Sequence, residues 1–458
     1  MESIREKRLL QLLFFGVLIG ALDISIVGPA LPAIQNQFGI DERASSWIFA
    51  SYVLANLVST PIMAKLSDLY GRKNLYVLNM AIFGVGSILV VLSQSFEMLV
   101  IARGIQGIGG GGIFPVASAV IGDSFPVEKR GRALGMLGAV FGIAFLLGPL
   151  VAGVLLVFSW HWLFVINIPF VLLIIFFAFK LFPKEKPHST KQIDWKGIVL
   201  LSIMIVSVSI GFNSIETENG QLVPPHFWTI LLLATPFVML PFFVNNERKQ
   251  EEPIVRMGLF RSRQVQLVSI LSFASGLLQS ALVFLAPFLV AIYSVSFSAA
   301  SFMLVPAILS LAVSSPISGR IIDKMGSRFV LLIGLATTTF GFVILTLFGG
   351  LLPGFYTALV FIGLGMGSIA GAPLRYIMLN ESEQREKGSA QGLIRVFMGV
   401  GQIVGGTLTG GVIAAFPLEH QGHFIAYGTI AVFSGSMTVL SIFLKSKEKE
   451  RATSKQVD

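Results

Sequence analysis

The sequence predicts an all-α polytopic membrane protein that crosses the bilayer fourteen times, and three observations carry that expectation. Of its 458 residues, 54% are hydrophobic and only 12% charged, and the mean hydropathy is +0.81; a soluble domain carries about 25% charged residues. Apolar runs of membrane-spanning length recur from one end of the chain to the other. Lys and Arg fall almost entirely in alternate turns between those runs, the asymmetry that orients membrane helices.

The runs cover about 9–33, 44–66, 75–93, 97–119, 133–157, 163–181, 196–214, 226–244, 265–291, 297–318, 329–350, 354–376, 389–413 and 424–444. Each crosses a hydrocarbon core of about 30 Å at roughly 1.5 Å per residue, the shorter ones with help from flanking residues. The first is too long for a signal-peptide core and has no convincing cleavage site, so it reads as a retained helix. With no cysteine in the chain, there is neither a disulfide framework nor a thiolate metal site.

With the amino terminus in the cytoplasm, 30 of the 33 Lys and Arg lie in the tails and inner loops. The other three are Arg43 in an outer loop, Arg103 and Arg395. Outer loops carry Asp41, Glu42, Glu97, Glu216, Glu218 and Glu419. An even helix count puts both termini in the cytoplasm. The net charge of +9 therefore reads as positive-inside sorting and not as a nucleic-acid surface. The stretch "KSKEKERATSKQVD" reads as a solvated, disordered tail.

The chain also repeats itself. Residues 64–73 read "AKLSDLYGRK" and residues 319–328 read "GRIIDKMGSR", each with Asp three residues before Gly and a basic residue just after. Matching inner turns in two halves are the trace of a transporter built from repeats. The predicted organisation is a six-helix bundle at 1–182, a linker with two inserted helices at 183–263, a second six-helix bundle at 264–445, and a cytoplasmic tail at 446–458.

These stretches carry a resemblance. "AKLSDLYGRK" resembles the cytoplasmic loop signature of the major facilitator superfamily, with Ala64 where the first glycine usually stands. Arg103, Gln106 and Gly107 resemble the arginine motif of the fourth helix, and "LLGPLVAG" (146–153) the fifth-helix Gly-Pro motif of exporters, with Ala152 replacing one glycine. "LDISIVGPALP" (22–32) and "WHWLFVINIP" (160–169) look like signatures of the fourteen-helix drug:proton antiporter branch, with His161 where that branch usually has arginine. The resemblance covers nearly the whole chain. It implies the major facilitator fold, two six-helix bundles plus a two-helix insertion.

Each motif has a plain structural reading beside the functional one. Asp68, Gly71 and Arg72, with Asp323, Gly326 and Arg328 in the repeat, read as an ordinary positive-inside loop or as a latch. The latch reading has Asp68 pair with helix ends such as that near Gly388, where the dipole suits a carboxylate. "GIGGGGIFP" (107–115) is not a phosphate loop, since it lacks the Lys-Ser/Thr ending and lies within a span; its glycines let helices approach. Gly148, Pro149 and Gly153 read as packing or as a helix bend that works during rocking.

Only Asp23 among the 24 Asp and Glu falls well inside a predicted run, and no histidine does. Helix rise puts Asp23 about 21 Å from the inner end of its helix, roughly 9 Å below the outer surface, and Arg103 at the same depth. Holding a guanidinium in hydrocarbon costs about 2.5–3.5 kcal/mol. Arg103 is therefore expected to face a wet cavity and lie near Asp23, as a permanent ion pair or as a proton site in which Asp23 takes a proton in one state. Arg395 snorkels to the inner interface or attracts an anionic substrate group. Asn56, Gln106, Asn167, Gln279 and Gln402 are candidates to line the cavity or to bond between helices.

The expected function is a proton-coupled exporter, an antiporter of small amphipathic, drug-like compounds working by alternating access. The alternative is export of an endogenous amphiphilic anion or lipid, which Arg395 and the shortage of cavity carboxylates favour. No catalytic residue, metal site or cofactor is expected, H+ being the coupling ion. Partners are the substrate and membrane lipids, with no nucleic acid. The resemblance points to a monomer in a bacterial plasma (inner) membrane.

Overall fold

The computed structural model describes residues 4–40, 42–182, 194–214, 217–218, 221–222, 226–251, 253–295, 297–383, 386–416 and 421–450. Its helices are, in chain order, α1 (Ile4–Phe38), α2 (Glu42–Tyr70), α3 (Arg72–Val91), α4 (Phe96–Ser124), α5 (Val127–Leu155), α6 (Trp162–Val165), α7 (Asn167–Leu181), α8 (Trp195–Asn213) and α9 (Phe227–Lys249). There follow α10 (Arg263–Ala281), α11 (Leu285–Tyr293), α12 (Phe297–Met303), α13 (Val305–Met325), α14 (Ser327–Phe348), α15 (Leu352–Gly371), α16 (Pro373–Asn380), α17 (Lys387–Ala415) and α18 (Gln421–Ser441). The only strands among the described residues form a short antiparallel hairpin, β1 (Thr217–Glu218) and β2 (Gln221–Leu222), in the turn after α8. The protein is an all-α polytopic membrane protein: 13 described stretches are long and apolar enough to cross a membrane, and α5, 29 residues long, occupies the predicted fifth run.

Four predicted runs are not single helices. They break at Ile166, at a 3-10 turn over Leu282–Phe284, at Leu304 and at Ala372. A proline follows each break, at Pro169, Pro287, Pro306 and Pro373. Its ring has no N–H and crowds the carbonyl four residues earlier, so the helix restarts there. Hydropathy alone does not register this, because the residues around each break stay apolar.

The chain folds as two compact units. One comprises Met1–Pro126, Val140–Gln192 and Glu383–Gly392; the other comprises Val127–Ala139, Ile193–Ser382 and Leu393–Asp458. In the first unit α4 packs on α2 and α3, and α1 packs on α4 and α7. Glycines set the spacing: a side chain at Gly107 would collide with the Tyr52 carbonyl, and one at Gly109 with the α3 backbone at Phe83. An apolar cluster of Ile26, Ile34, Ile48, Leu99, Trp160 and Leu163 is buried in this unit.

In the second unit α14 packs on α15 and α18, α13 on α15, and α8 on α9. Phe288 sits among Phe355, Phe424, Tyr427 and His423. α18 starts at Gln421, so His423 is buried in its first turn, at the end of the span and not well inside it.

The predicted disordered tail is corrected in part. Residues 447–450 are helical, and Leu444 and Glu450 are buried; positions 451–458 lie outside the described residues. The run docks through hydrogen bonds and one ion pair. Glu450 accepts hydrogen bonds from the backbone N–H (3.2 Å) and the hydroxyl of Ser327, and Lys445 pairs with Glu381.

Candidate functional site

Six helices of the first unit converge on one buried carboxylate. Asp23 of α1 and Arg103 of α4 are both fully buried, with Arg103 Nη1 donating to Asp23 Oδ2 at 2.6 Å. The other carboxylate oxygen accepts from Gln106 Nε2 at 2.7 Å and from Asn167 Nδ2 of α7 at 2.9 Å. Gln106 Nε2 also reaches Ser87 Oγ of α3 at 2.9 Å, and its carbonyl takes a second bond from Arg103 Nη1. Arg103 Nε donates to the Ile48 carbonyl of α2 at 3.2 Å. The guanidinium lies 4.4 Å from the Tyr52 ring centre and 5.5 Å from that of Phe164 in α6, close enough for cation–π attraction. Arg103 Nη2 has no hydrogen-bond partner among the described residues.

The structure thus brings together Asp23, Arg103, Gln106 and Asn167. It corrects the surroundings expected for them: with zero exposure at both charges, this site is dry, and protein donors and ring faces replace water. Gln106 and Asn167 belong to this network and do not line an open cavity. Asn56 is buried on α2 against Gly110 of α4.

The two repeated turns have related but unequal construction. Gly71 and Gly326 have φ of 92° and 89°, the left-handed region that a residue with a side chain rarely adopts. Asp68 accepts from the backbone N–H of Gly388 at 2.9 Å and of Ser389 at 2.7 Å, and from the Ser389 hydroxyl at 2.6 Å. These are first-turn donors of α17, unsatisfied within the helix and at its positive end. Arg72 bridges Asp68 and Asp123, the latter at 2.9 Å. In the second unit Asp323 accepts from the backbone N–H of Gly131 and Arg132 in α5, each at 3.1 Å. Arg328 makes no ion pair among the described residues. The register explains the difference: Ser327, not arginine, directly follows Gly326.

Of the Gly-Pro motif, Gly148 abuts Ser25 of α1, whose hydroxyl donates to the Ala144 carbonyl at 2.9 Å. Gly153 is exposed with open space beside it, and the Pro149 side chain lies outside the described residues. In the second unit Gln402 donates to Gln279 at 2.9 Å; Arg375 is buried in α16 and Arg395 is half-buried in α17. His161 stacks on Trp160 with ring centres 3.8 Å apart, and desolvation lowers its imidazole below the usual 6.5. No group of three or more His, Asp or Glu among the described residues is placed to hold a metal ion.

Sequence reasoning missed Ser87, Asp123, Ser389 and Glu450. Ser87 is one of two buried neutral polar side chains on α3, with Asn79 against Gly112 of α4 as the other, so polarity at helical spacing did not single it out. The other three are set by where helix ends meet, which no local pattern encodes.

The family model described as Major Facilitator Superfamily matches residues 13–378 and 268–457. The chain is 34% identical over 423 residues to the MFS-type transporter YfiU of Bacillus subtilis (strain 168), covering 90% of this chain and 81% of that protein. It is 30% identical over 424 residues to the multidrug transporter protein MdtP of the same organism, covering 90% and 77%. Among solved structures, the human organic anion transporter MFSD10 (TETRAN) is similar with a TM-score of 0.72 at 15% identity, covering 95% of this chain and 99% of that one. That last likeness is one of fold.

Proposed function

The chain belongs to the Major Facilitator Superfamily, and from that premise we propose that it exports small amphipathic organic compounds in exchange for protons, with Asp23 as the proton carrier. Members of this family are secondary active carriers and not enzymes, so what needs explaining is binding, charge compensation and change of access.

One observation supports the coupling reading above the rest: an acid buried deep in the spans is met by donors alone, one guanidinium and two amides. A proton arriving on Asp23 turns an acceptor oxygen into a donor. It must displace either Arg103 or the pair of amides, since two donors cannot face each other. Arg103 then needs another acceptor, and the contact of α1 with α4 changes with it. In this reading proton load and helix packing are one variable, which is what an exchanger requires.

Asp68 and Asp323, with Gly71, Arg72, Gly326 and Arg328, serve as latches at inner turns. The Asp68 carboxylate on the start of α17, and Asp323 on the backbone of α5 past its first turn, make contacts strong enough to hold one state and open enough to break. Both termini are cytoplasmic, the protein sits in a bacterial plasma membrane as a monomer, and the bundles at 1–182 and 264–445 work by alternating access. The basic asymmetry supports the orientation, and the duplicated Asp-x-x-Gly turns support the two bundles.

Of the two cargo classes, the amphiphilic anion has more behind it. Arg375, 5% exposed at the start of α16, and Arg395 place two arginines within the spans of the second unit, and the restarted helix at Pro373 presents its positive end beside Arg375. A drug cargo is the second reading, favoured by the multidrug relative MdtP.

Proteoliposomes with an imposed pH gradient test the proposal. Accumulation of a fluorescent amphiphilic anion should follow the gradient and stop when a protonophore collapses it. Transport that depends on sodium and ignores the proton gradient refutes the coupling; transport of cationic dyes alone refutes the anion cargo.

A further inference from the structure

We propose that a basic pocket where α10, α14 and the run after α18 meet binds the headgroup phosphate of an anionic phospholipid. The cavity is about 520 Å³ and is lined by Arg263 and Gln264 of α10, Arg328 of α14, and Phe443, Lys445 and Lys449 beyond α18, among others. All of these belong to the second unit.

Charge accounting singles out the ligand's sign. Lys445 is already paired with Glu381, whose other oxygen accepts from Ser262 at 2.7 Å. Glu450 is engaged by Ser327. Arg263 and Arg328 make no ion pair among the described residues; Arg263 only lies over the Phe443 ring at 5.5 Å. Two guanidiniums therefore line one cavity without carboxylate compensation, and a guanidinium fork matches phosphate oxygens in geometry as well as charge. The first turn of α10 adds backbone donors with no side-chain cap.

Position singles out the source. Arg263 opens one membrane-spanning stretch, Ser327 opens another, and a third closes at Ser441. The pocket thus lies where hydrocarbon gives way to headgroups. Ile442 and Phe443 beside it are 45% and 54% exposed, an apolar flank for an acyl chain. Gln264 accepts from the Lys445 backbone at 3.0 Å, so the run that supplies Lys445 and Lys449 is already held against α10. A headgroup seated there would tie the two together.

The test uses the full chain in detergent, titrated with phosphatidylglycerol or phosphatidylcholine and read by native mass spectrometry and thermal midpoint. Phosphatidylglycerol should be retained preferentially and raise the midpoint. At about fivefold per cation near a membrane surface, Arg263→Gln with Arg328→Gln should weaken retention roughly 30-fold. Both positions are exposed or half-buried, and the Arg→Lys pair, which keeps the charge, should restore most of the binding and so guard against misfolding. Arg248→Gln with Lys249→Gln, a basic pair at the end of α9, should change nothing. Equal retention of the two lipids overturns the proposal, as does wild-type binding by the double Gln variant. Equal loss in the α9 variant reduces the effect to diffuse surface charge. If millimolar inorganic phosphate displaces the lipid and raises the midpoint by itself, the ligand is a soluble phosphate and the lipid assignment fails.

Discussion

Replacing Asp23 by asparagine leaves Arg103 charged in a site from which water is excluded. The pair is 2.6 Å apart with both side chains at zero exposure, so solvent screens nothing. Breaking such a pair by removing one partner costs about 3–5 kcal/mol. The N–H₂ group introduced by Asp23→Asn would also have to face the amide donors of Gln106 or Asn167, while the Tyr52 ring at 4.4 Å still offers the cation some stabilisation. We expect a loss near the lower end, about 3 kcal/mol. Adding Arg103→Gln removes the orphaned charge, and the neutral pair should recover most of that loss, giving a coupling energy of about 2–3 kcal/mol in the double-mutant cycle. Denaturant unfolding in mixed micelles measures the four stabilities, and substrate-driven proton flux in vesicles measures coupling. Both variants that carry Asp23→Asn should fail to move protons, whatever their stability. An Asp23→Asn protein within about 1 kcal/mol of wild type would refute the desolvated pair, and a double variant that still couples would refute Asp23 as the carrier.

Asp68→Asn exchanges a charged acceptor of three α17 donors and of Arg72 for a neutral one; the protein should fold and transport more slowly, and a well-expressed variant with the wild-type rate would reduce Asp68 to a loop residue. Burial pushes the Glu450 carboxyl up from 4.5 to about 7 against the bonds from Ser327, with Glu381 adding to the rise and Lys445 opposing it. The docked carboxyl therefore holds its proton to higher pH than the released one, so docking of 446–450 is strongest in acid, weakens as pH rises between those values and is level above them. Hydrogen-exchange protection of those amides, corrected for intrinsic rates, should follow that course and become pH-independent in Glu450→Gln; protection that grows with pH contradicts it. A single cysteine at position 188 of this cysteine-free chain should resist labelling from outside the cell, and ready labelling would sink the proposed topology.

The depth match of Asp23 with Arg103 is readable from sequence because every helical residue rises by the same amount, whatever surrounds it. Its dryness is not, since exposure depends on which helices close around it: Tyr52 and Phe164 come from α2 and α6. Gln106 travels with the arginine at helical spacing, but Asn167 is 144 positions from Asp23 and looks no different from any polar residue bonding between helices. The approach of a carboxylate to the helix start near Gly388 follows from the dipole, whereas the share taken by Asp123 depends on where α4 ends. The prolines at 169, 287, 306 and 373 follow breaks, but Pro61, Pro115, Pro236, Pro241 and Pro316 sit inside unbroken helices, so neither proline nor hydropathy places the breaks from sequence. Charge density made the last residues read as solvated, yet the Lys445–Glu381 pair, the Lys445 backbone bond to Gln264 and the Glu450 bonds to Ser327 dock part of them.

The two inner turns also differ in what each has to wait for. Arg72 meets Asp68 four residues away and Asp123 only 51 away, so those contacts are available once the second helical hairpin has entered the membrane. Ser327 waits for Glu450, 123 positions downstream, and by then α14 through α18 have all been made. During synthesis the start of α14 is thus left with open donors across five helices. Any factor that inspects nascent membrane proteins for unsatisfied polar groups would meet that turn unfinished, as it would the turn at Gly71, where Asp68 waits for Gly388, 320 positions downstream. Variants that delay the run after α18 should then show their defect first as slow maturation, before any loss of stability in the finished protein.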